Sequence, residues 1–140
     1  MMKTTARSFT PVVTLISVLM VAEAVTFLLA ALLHLGVPLG FSEPRIIPAA
    51  IVEGLCGLFL AVSLYGVVAR TRLAWGAALA AHLFAVAGVL LGIASLALGL
   101  GPSTVANTIY HRVILGILIV VLLLLATPAA RTALGHRTSA

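Results

Sequence analysis

Four long apolar segments, separated by clusters of turn-forming residues, constrain this chain more than any other feature of its sequence. The segments cover about residues 11–35, 47–68, 73–99 and 108–126. At 1.5 Å per residue, a helix of about 20 residues crosses the ~30 Å hydrocarbon core of a bilayer. We therefore predict an all-α integral membrane protein, an up-down bundle of four transmembrane helices. It forms a single membrane domain over residues 1–140 with a basic tail at residues 128–140.

The composition requires lipid as the solvent for most of the protein surface. Hydrophobic residues make up 63% of the 140 residues and charged residues only 8%, and the mean hydropathy is +1.30. Soluble domains carry about a quarter of their residues as charged side chains. Ala22-Glu23-Ala24 resembles a signal-peptide cleavage site, but the apolar run continues to Leu33. We therefore predict a retained first transmembrane helix.

The basic residues lie at the ends of the segments, which indicates membrane topology and not a nucleic-acid surface, despite the net charge of +5. Four spans place both termini on one side. Because that side carries six basic residues and the other carries two, we predict cytoplasmic termini. The two sets are Lys3, Arg7, Arg70, Arg72, Arg131 and Arg137, against Arg45 and Arg112. We name the side that carries residues 36–46 and 100–104 the outer end.

The predicted location is the inner (plasma) membrane, as a multi-pass protein. The excess of arginine over lysine, together with many Ala, Leu and Val residues, is a hint of a GC-rich bacterial genome.

Alternating steps of three and four residues predict which face of each helix points into the bundle. On the first helix this face holds Glu23 and His34 together, about 16 Å apart along the axis. The predicted inward residues are Ile16, Met20, Glu23, Phe27, Ala30 and His34; Ala50, Glu53, Gly57, Leu60 and Leu64; Trp75, Ala78, His82, Val86, Val89 and Ile93; and His111, Leu115, Leu118, Leu122 and Leu125.

The third segment carries a second stripe, which is made of small residues and points about 100° away from His82. Small residues let helices approach closely in lipid, where van der Waals packing drives association. The stripe fits either the second helix, where Gly54 and Gly57 offer a groove, or another subunit in a homo-oligomer or partner complex. Its members are Ala74, Ala77, Ala81, Gly88, Gly92, Ser95 and Gly99.

Five glutamate and histidine residues interrupt the apolar segments. Depth along the helices predicts a central pair, Glu23 with His82, and an outer cluster of His34, Glu53 and His111. A charge at the bilayer centre is costly, so intramembrane ionisable residues are functional candidates by default. The candidate ligand-binding residues are Glu53, His34, His111, Glu23, His82 and Tyr110.

A structural interpretation stands beside the functional one. Glu23 and His82 can act as a hydrogen-bonded pair that fixes helix register and nothing more. His34 and His111 can be ordinary wetted histidines near the interface, and Tyr110 an interfacial anchor.

The sequence favours a protein that is not an enzyme. It contains no Asp and no GxSxG, HExxH, P-loop or GxGxxG motif. Cys56 is the only cysteine and lies in an apolar segment, where a lone thiol behaves as a small hydrophobic group.

Three ligand hypotheses fit the polar residues. In the first, His34, Glu53 and His111 bind a divalent metal ion. In the second, His34 and His111 are the axial ligands of a haem b. In the third, the polar face lines a cavity for protons or for a small organic, lipid or quinone ligand, with Glu23 and His82 as titrating groups. We predict a polar site in the outer half that binds a small ligand or metal ion, with transport as one use. The alternatives are a haem-binding redox protein and a non-catalytic accessory subunit.

Overall fold

The computed structural model describes residues 10–135, which form five helices and no strand. The helices are α1 (Pro11–His34), α2 (Ile47–Val68), α3 (Ala74–Ala97), α4 (Val105–Ala126) and α5 (Pro128–Leu134). The first four are long and apolar enough to cross a membrane. Helix α2 packs against α1 and α3, and α4 packs against α3 and α1. The four-helix membrane bundle is confirmed, with α1 and α3 facing each other across one diagonal.

Glycines end two of the long helices at the outer end. Gly36 and Gly99 have φ values of +94° and +66°, which favour glycine. In each case the amide two residues past the C-cap donates to a carbonyl five residues earlier: Val37 to Leu32, and Leu100 to Ser95, both at 3.0 Å. This is the Schellman motif, which satisfies carbonyls that the helix leaves free.

Helix α4 begins at Val105, three residues before the predicted start. Thr104 is its N-cap, and the Thr104 hydroxyl accepts a hydrogen bond from the Asn107 amide at 3.0 Å. The helix therefore starts earlier than the apolar segment, and Asn107 is a buried residue inside its first turn.

Part of the predicted basic tail forms α5. The Thr127 hydroxyl caps this helix by accepting from the Ala130 amide at 3.2 Å, and Ala130 and Leu134 are buried against α1, α3 and α4. The indole N–H of Trp75 donates to the Leu125 carbonyl at 2.9 Å. The Arg131 guanidinium lies 5.6 Å from the centre of the Trp75 ring, within range of a cation–π contact. Lys3, Arg7 and Arg137 lie outside the described residues.

The predicted inward faces agree closely with the buried residues. All six residues predicted on α1 are buried, as are four of the five on α2, where Leu64 is half-buried. On α3, Ala78, His82 and Val89 are buried and Trp75, Val86 and Ile93 half-buried. Helix α4 is rotated slightly from the prediction: Ile114 and Val121 are buried, and their neighbours Leu115 and Leu122 are half-buried.

The small residues on α3 make their contacts differently from the prediction. A Cβ added at Gly88 would lie 3.0 Å from Val52 and 3.1 Å from Cys56, so this part of the stripe does face α2. The proposed groove at Gly54 and Gly57 instead faces α1. The groove was matched to the wrong helix, because spacing alone does not say which neighbour a groove receives. Ala77 and Gly99 of the stripe are exposed.

Candidate functional site

The central pair forms as predicted. Glu23 on α1 and His82 on α3 are fully buried, and His82 Nε2 lies 2.9 Å from Glu23 Oε2. The contact crosses the bundle and links α1 to α3, which are not adjacent helices. The other nitrogen, His82 Nδ1, donates to the Ala78 carbonyl at 2.7 Å.

The hydrogen-bond partners fix the number of protons in this pair. A backbone carbonyl only accepts, so Nδ1 of His82 carries a hydrogen. The contact between Nε2 and the carboxyl oxygen then needs one more proton, which sits either on Nε2 or on Glu23. Both placements give zero net charge, which reduces the cost of burying the pair. Both ring nitrogens of His82 are therefore occupied.

The outer pair joins His34, the last residue of α1, to Glu53 on α2. His34 Nδ1 lies 2.7 Å from Glu53 Oε2, within hydrogen-bond distance, and both side chains are buried. The Ile46 amide donates to the His34 carbonyl at 3.0 Å, which ties the start of α2 to the end of α1. Within residues 10–135, His34 Nε2 is buried and has no hydrogen-bond partner. In the same range Glu23 Oε1 of the central pair is also buried without a partner, so the two pairs differ at the imidazole: both nitrogens of His82 are bonded, and only one of His34 is.

His111 does not join the outer pair. Its Nδ1 donates to the Asn107 carbonyl in its own helix at 2.8 Å. Its Nε2 lies against Gly92 of α3, so closely that a Cβ at that position would clash with the ring. Gly92 is needed because it leaves room for the imidazole. The small-residue stripe contained this signal, but the sequence did not show that a histidine fills the gap.

The metal and haem hypotheses gain no support from this arrangement. Among the described residues, no group of three His, Cys, Asp or Glu side chains converges to hold a metal ion. A haem pairing of His34 with His111 would need both free nitrogens to face one iron, but the His111 nitrogen packs on α3.

The first of two cavities at the outer end, which we name the α3 cavity, has a volume of about 210 Å³. It lies among α2, α3, α4 and the connection after α3. Its walls include both members of the outer pair and His111. The lining residues are His34, Ile46, Pro48, Ala49, Val52, Glu53, Gly88, Leu91, Gly92, Ser95, Leu96, Leu100, Gly101, Pro102, Asn107 and His111.

The second cavity, which we name the α1–α4 cavity, has a volume of about 310 Å³. It lies between α1, α4 and the α1–α2 connection, and most of its wall is apolar. Its lining residues are Thr26, Leu29, Ala30, Leu33, His34, Leu39, Phe41, Glu43, Ala106, Asn107 and Tyr110. His34 and Asn107 line both cavities, so they form the wall that the two share.

Tyr110, which lines the α1–α4 cavity, also carries an unpartnered polar atom. Its hydroxyl is buried and has no hydrogen-bond partner in the part of the chain that the structure describes. The Tyr110 ring packs edge-on against Phe27, with centroids 6.3 Å apart, and against His111 at 5.6 Å. The sequence identified Tyr110 as a candidate, but an isolated tyrosine near an interface gives no sign that its hydroxyl is buried.

Glu43 holds the two outer connections together. Its carboxylate accepts from the Thr104 hydroxyl at 2.8 Å, and the same hydroxyl oxygen caps α4. Of the described residues that line either cavity, none is a lysine or an arginine. The ionisable groups on the cavity walls are therefore carboxylates, histidines and one tyrosine, a set that disfavours anionic ligands.

The fold and these contacts define a multi-pass four-helix protein with two buried histidine–carboxylate pairs. No family model, curated protein or solved structure matches the chain. The geometry of its own side chains therefore carries the functional conclusion.

Proposed function

We propose that this protein binds a small uncharged organic molecule in the outer half of its membrane bundle, in the inner (plasma) membrane. One observation carries the proposal. His34 lines both cavities, its buried Nε2 has no hydrogen-bond partner among residues 10–135, and the other nitrogen of the same ring is bonded to Glu53.

The chemistry of the outer pair supports a ligand with a hydrogen-bond donor. An ionised Glu53 carboxylate only accepts, so it takes the hydrogen bond from Nδ1–H of His34, and Nε2 of the neutral ring is then an acceptor. A buried polar atom without a partner costs about 1–3 kcal/mol, which a donating ligand would recover. Such an atom beside a cavity is typical of a binding site held ready for its ligand.

The size and lining of the cavities support an uncharged organic ligand. Volumes of about 210 and 310 Å³ suit molecules with on the order of ten non-hydrogen atoms. The apolar walls favour a molecule with a hydrocarbon part. The absence of lysine and arginine among the described lining residues disfavours phosphates and carboxylates.

In this proposal the central pair is a positioning element. Glu23 and His82 link α1 to α3 across the bundle, and Glu23 lies eleven residues before His34 on the same face of α1. A fixed rotation of α1 places His34 beside Glu53. The central pair therefore holds the outer site in register and takes no ligand itself.

The test is nitrogen NMR of protein labelled with ¹⁵N-histidine in lipid nanodiscs. The sample is titrated with an aromatic hydrocarbon, an ether, an amide and a phenol of similar size, and separately with zinc chloride. We expect at least one organic compound to shift the His34 signals saturably. The signals of His82 should stay fixed, because both of its nitrogens are occupied. No response of His34 to any organic compound, or a response to zinc alone, would overturn the proposal.

A further inference from the structure

Two residues that line the α1–α4 cavity, His34 and Tyr110, each carry a buried polar atom that has no partner within the described chain, and the two atoms differ in chemistry. In the neutral ring with its hydrogen on Nδ1 toward Glu53, His34 Nε2 is a hydrogen-bond acceptor. The Tyr110 hydroxyl has a hydrogen to donate. Both residues line this one cavity, and only His34 of the two also lines the α3 cavity. The ligand that completes this cavity must therefore both donate and accept.

A single hydroxyl group meets both requirements. Its O–H donates to the imidazole nitrogen of His34, and its oxygen accepts from the O–H of Tyr110. A primary amide brings two N–H donors and a carbonyl, which is more than these two atoms satisfy. A carboxylate would lie beside Glu43 and close to Glu53 without a lysine or arginine on the described wall.

The other lining residues indicate the chemistry of the rest of the ligand. Leu29, Leu33 and Ala30 of α1 and Ala106 of α4 give an apolar surface. Leu29 and Phe41 are 43% and 53% exposed, and the cavity lies between two helices that border lipid. A ligand with a hydrocarbon body is thus favoured, and it can reach the cavity sideways from the bilayer.

We infer that the α1–α4 cavity binds a neutral alcohol or phenol with an apolar body, its hydroxyl held between His34 Nε2 and the Tyr110 hydroxyl. This inference rests on the proposed function, because it names the ligand class for the same His34 site. It adds Tyr110 as a binding residue and assigns the larger of the two cavities as the place of binding.

The experiment compares 4-butylphenol, 4-butylanisole and butylbenzene, titrated into nanodisc-embedded protein and followed through the ¹⁵N signals of His34. The anisole keeps the oxygen acceptor and loses the donor, and the hydrocarbon loses both. We expect the phenol to bind about tenfold more tightly than the anisole, the upper range for one hydrogen bond.

Two variants isolate the contribution of Tyr110. Tyr110→Phe removes a hydroxyl that has no partner without ligand, so the protein should fold normally. It should weaken the binding of both 4-butylphenol and 4-butylanisole by about threefold and leave the binding of butylbenzene unchanged. Tyr65→Phe is the matched control, since Tyr65 is 72% exposed and distant in sequence from the cavity-lining residues.

The outcomes separate this inference from the proposed function. If His34 responds equally to all three compounds, or if Tyr110→Phe leaves phenol affinity unchanged, the hydroxyl assignment is wrong while the binding site stands. If His34 responds to none of the three, nor to the amide, both proposals fail.

Discussion

The two histidine–carboxylate pairs of this protein use the same residue types and differ in the hydrogen bonds of the imidazole. In the central pair, both nitrogens of His82 have partners, Ala78 and Glu23, and the pair has no net charge. In the outer pair, Glu53 occupies one nitrogen of His34 and the other has no partner among residues 10–135. Glu23 Oε1 is also without a partner in this range, but neither member of the central pair lines a cavity, whereas His34 lines both.

The location of each pair explains the difference. The central pair lies in the tightly packed middle of the bundle, and neither cavity includes Glu23 or His82 in its lining. The outer pair lies where α1 ends and the chain turns into α2. Helix ends separate there, and the connections close over space that side chains do not fill.

The largest effect is expected from breaking the central pair. Glu23→Leu leaves His82 Nε2 without a partner in the core and should destabilise the protein by roughly 3 kcal/mol, as for other buried pairs that lose one member. Glu23→Leu with His82→Leu should recover most of that loss. Steric trapping or SDS-induced unfolding measures both. A single variant as stable as wild type would show that the pair does not hold the bundle together.

A smaller loss is expected at Gly92, which seats His111. Gly92→Ala adds a Cβ that clashes with His111 Nε2, and overpacking of this kind costs about 1–3 kcal/mol. Gly76→Ala on the same helix is the control, because an added Cβ there would have no described atom within 4 Å apart from its chain neighbours and the backbone of its own helix. The control should be neutral or stabilising by up to about 1 kcal/mol. Equal stability of the two variants, in the same unfolding assay, would contradict the placement of His111.

Breaking the outer pair should destabilise the protein less than breaking the central pair. It should affect ligand binding more. Glu53→Ala should destabilise by about 1 kcal/mol, because His34 at the helix end can hydrogen-bond to water instead. The same variant should abolish the response of His34 to organic ligands, since the ring loses the partner that fixes its tautomer. Ser63→Ala is the control, as Ser63 is a buried polar residue of α2 that bonds only within its own helix. If Glu53→Ala lost as much stability as Glu23→Leu, the outer pair would have the same structural role as the central pair.

The smallest effect on stability is expected from Tyr110→Phe. The hydroxyl that it removes is buried without a partner, so the change should be within about 0.5 kcal/mol or slightly stabilising. Tyr65→Phe should also be neutral, because Tyr65 is exposed. Thermal unfolding in detergent compares the two. A loss above about 1 kcal/mol for Tyr110→Phe would mean that the hydroxyl has a partner in the free protein.

The sequence by itself determined the four spans and most of the inward faces. Hydrophobic length and helical periodicity are properties of a single segment, so they can be read without knowing its neighbours. Depth along the axis was also sufficient to bring Glu23 and His82 together, since each is the one ionisable residue of its helix at the middle of the bilayer.

Only the tertiary structure decided which groups meet at the outer end. His34, Glu53 and His111 lie at similar depth, and depth alone allows several pairings among them. The rotation of each helix selects His34 with Glu53, turns His111 toward Gly92, and leaves Tyr110 and His34 on one cavity. The residues 128–134 likewise form α5 because Ala130 and Leu134 find a surface on the other helices, which no local pattern in a basic tail reveals. Which side chains pair depends on the order and rotation of the helices around the bundle. Packing across the whole fold determines both.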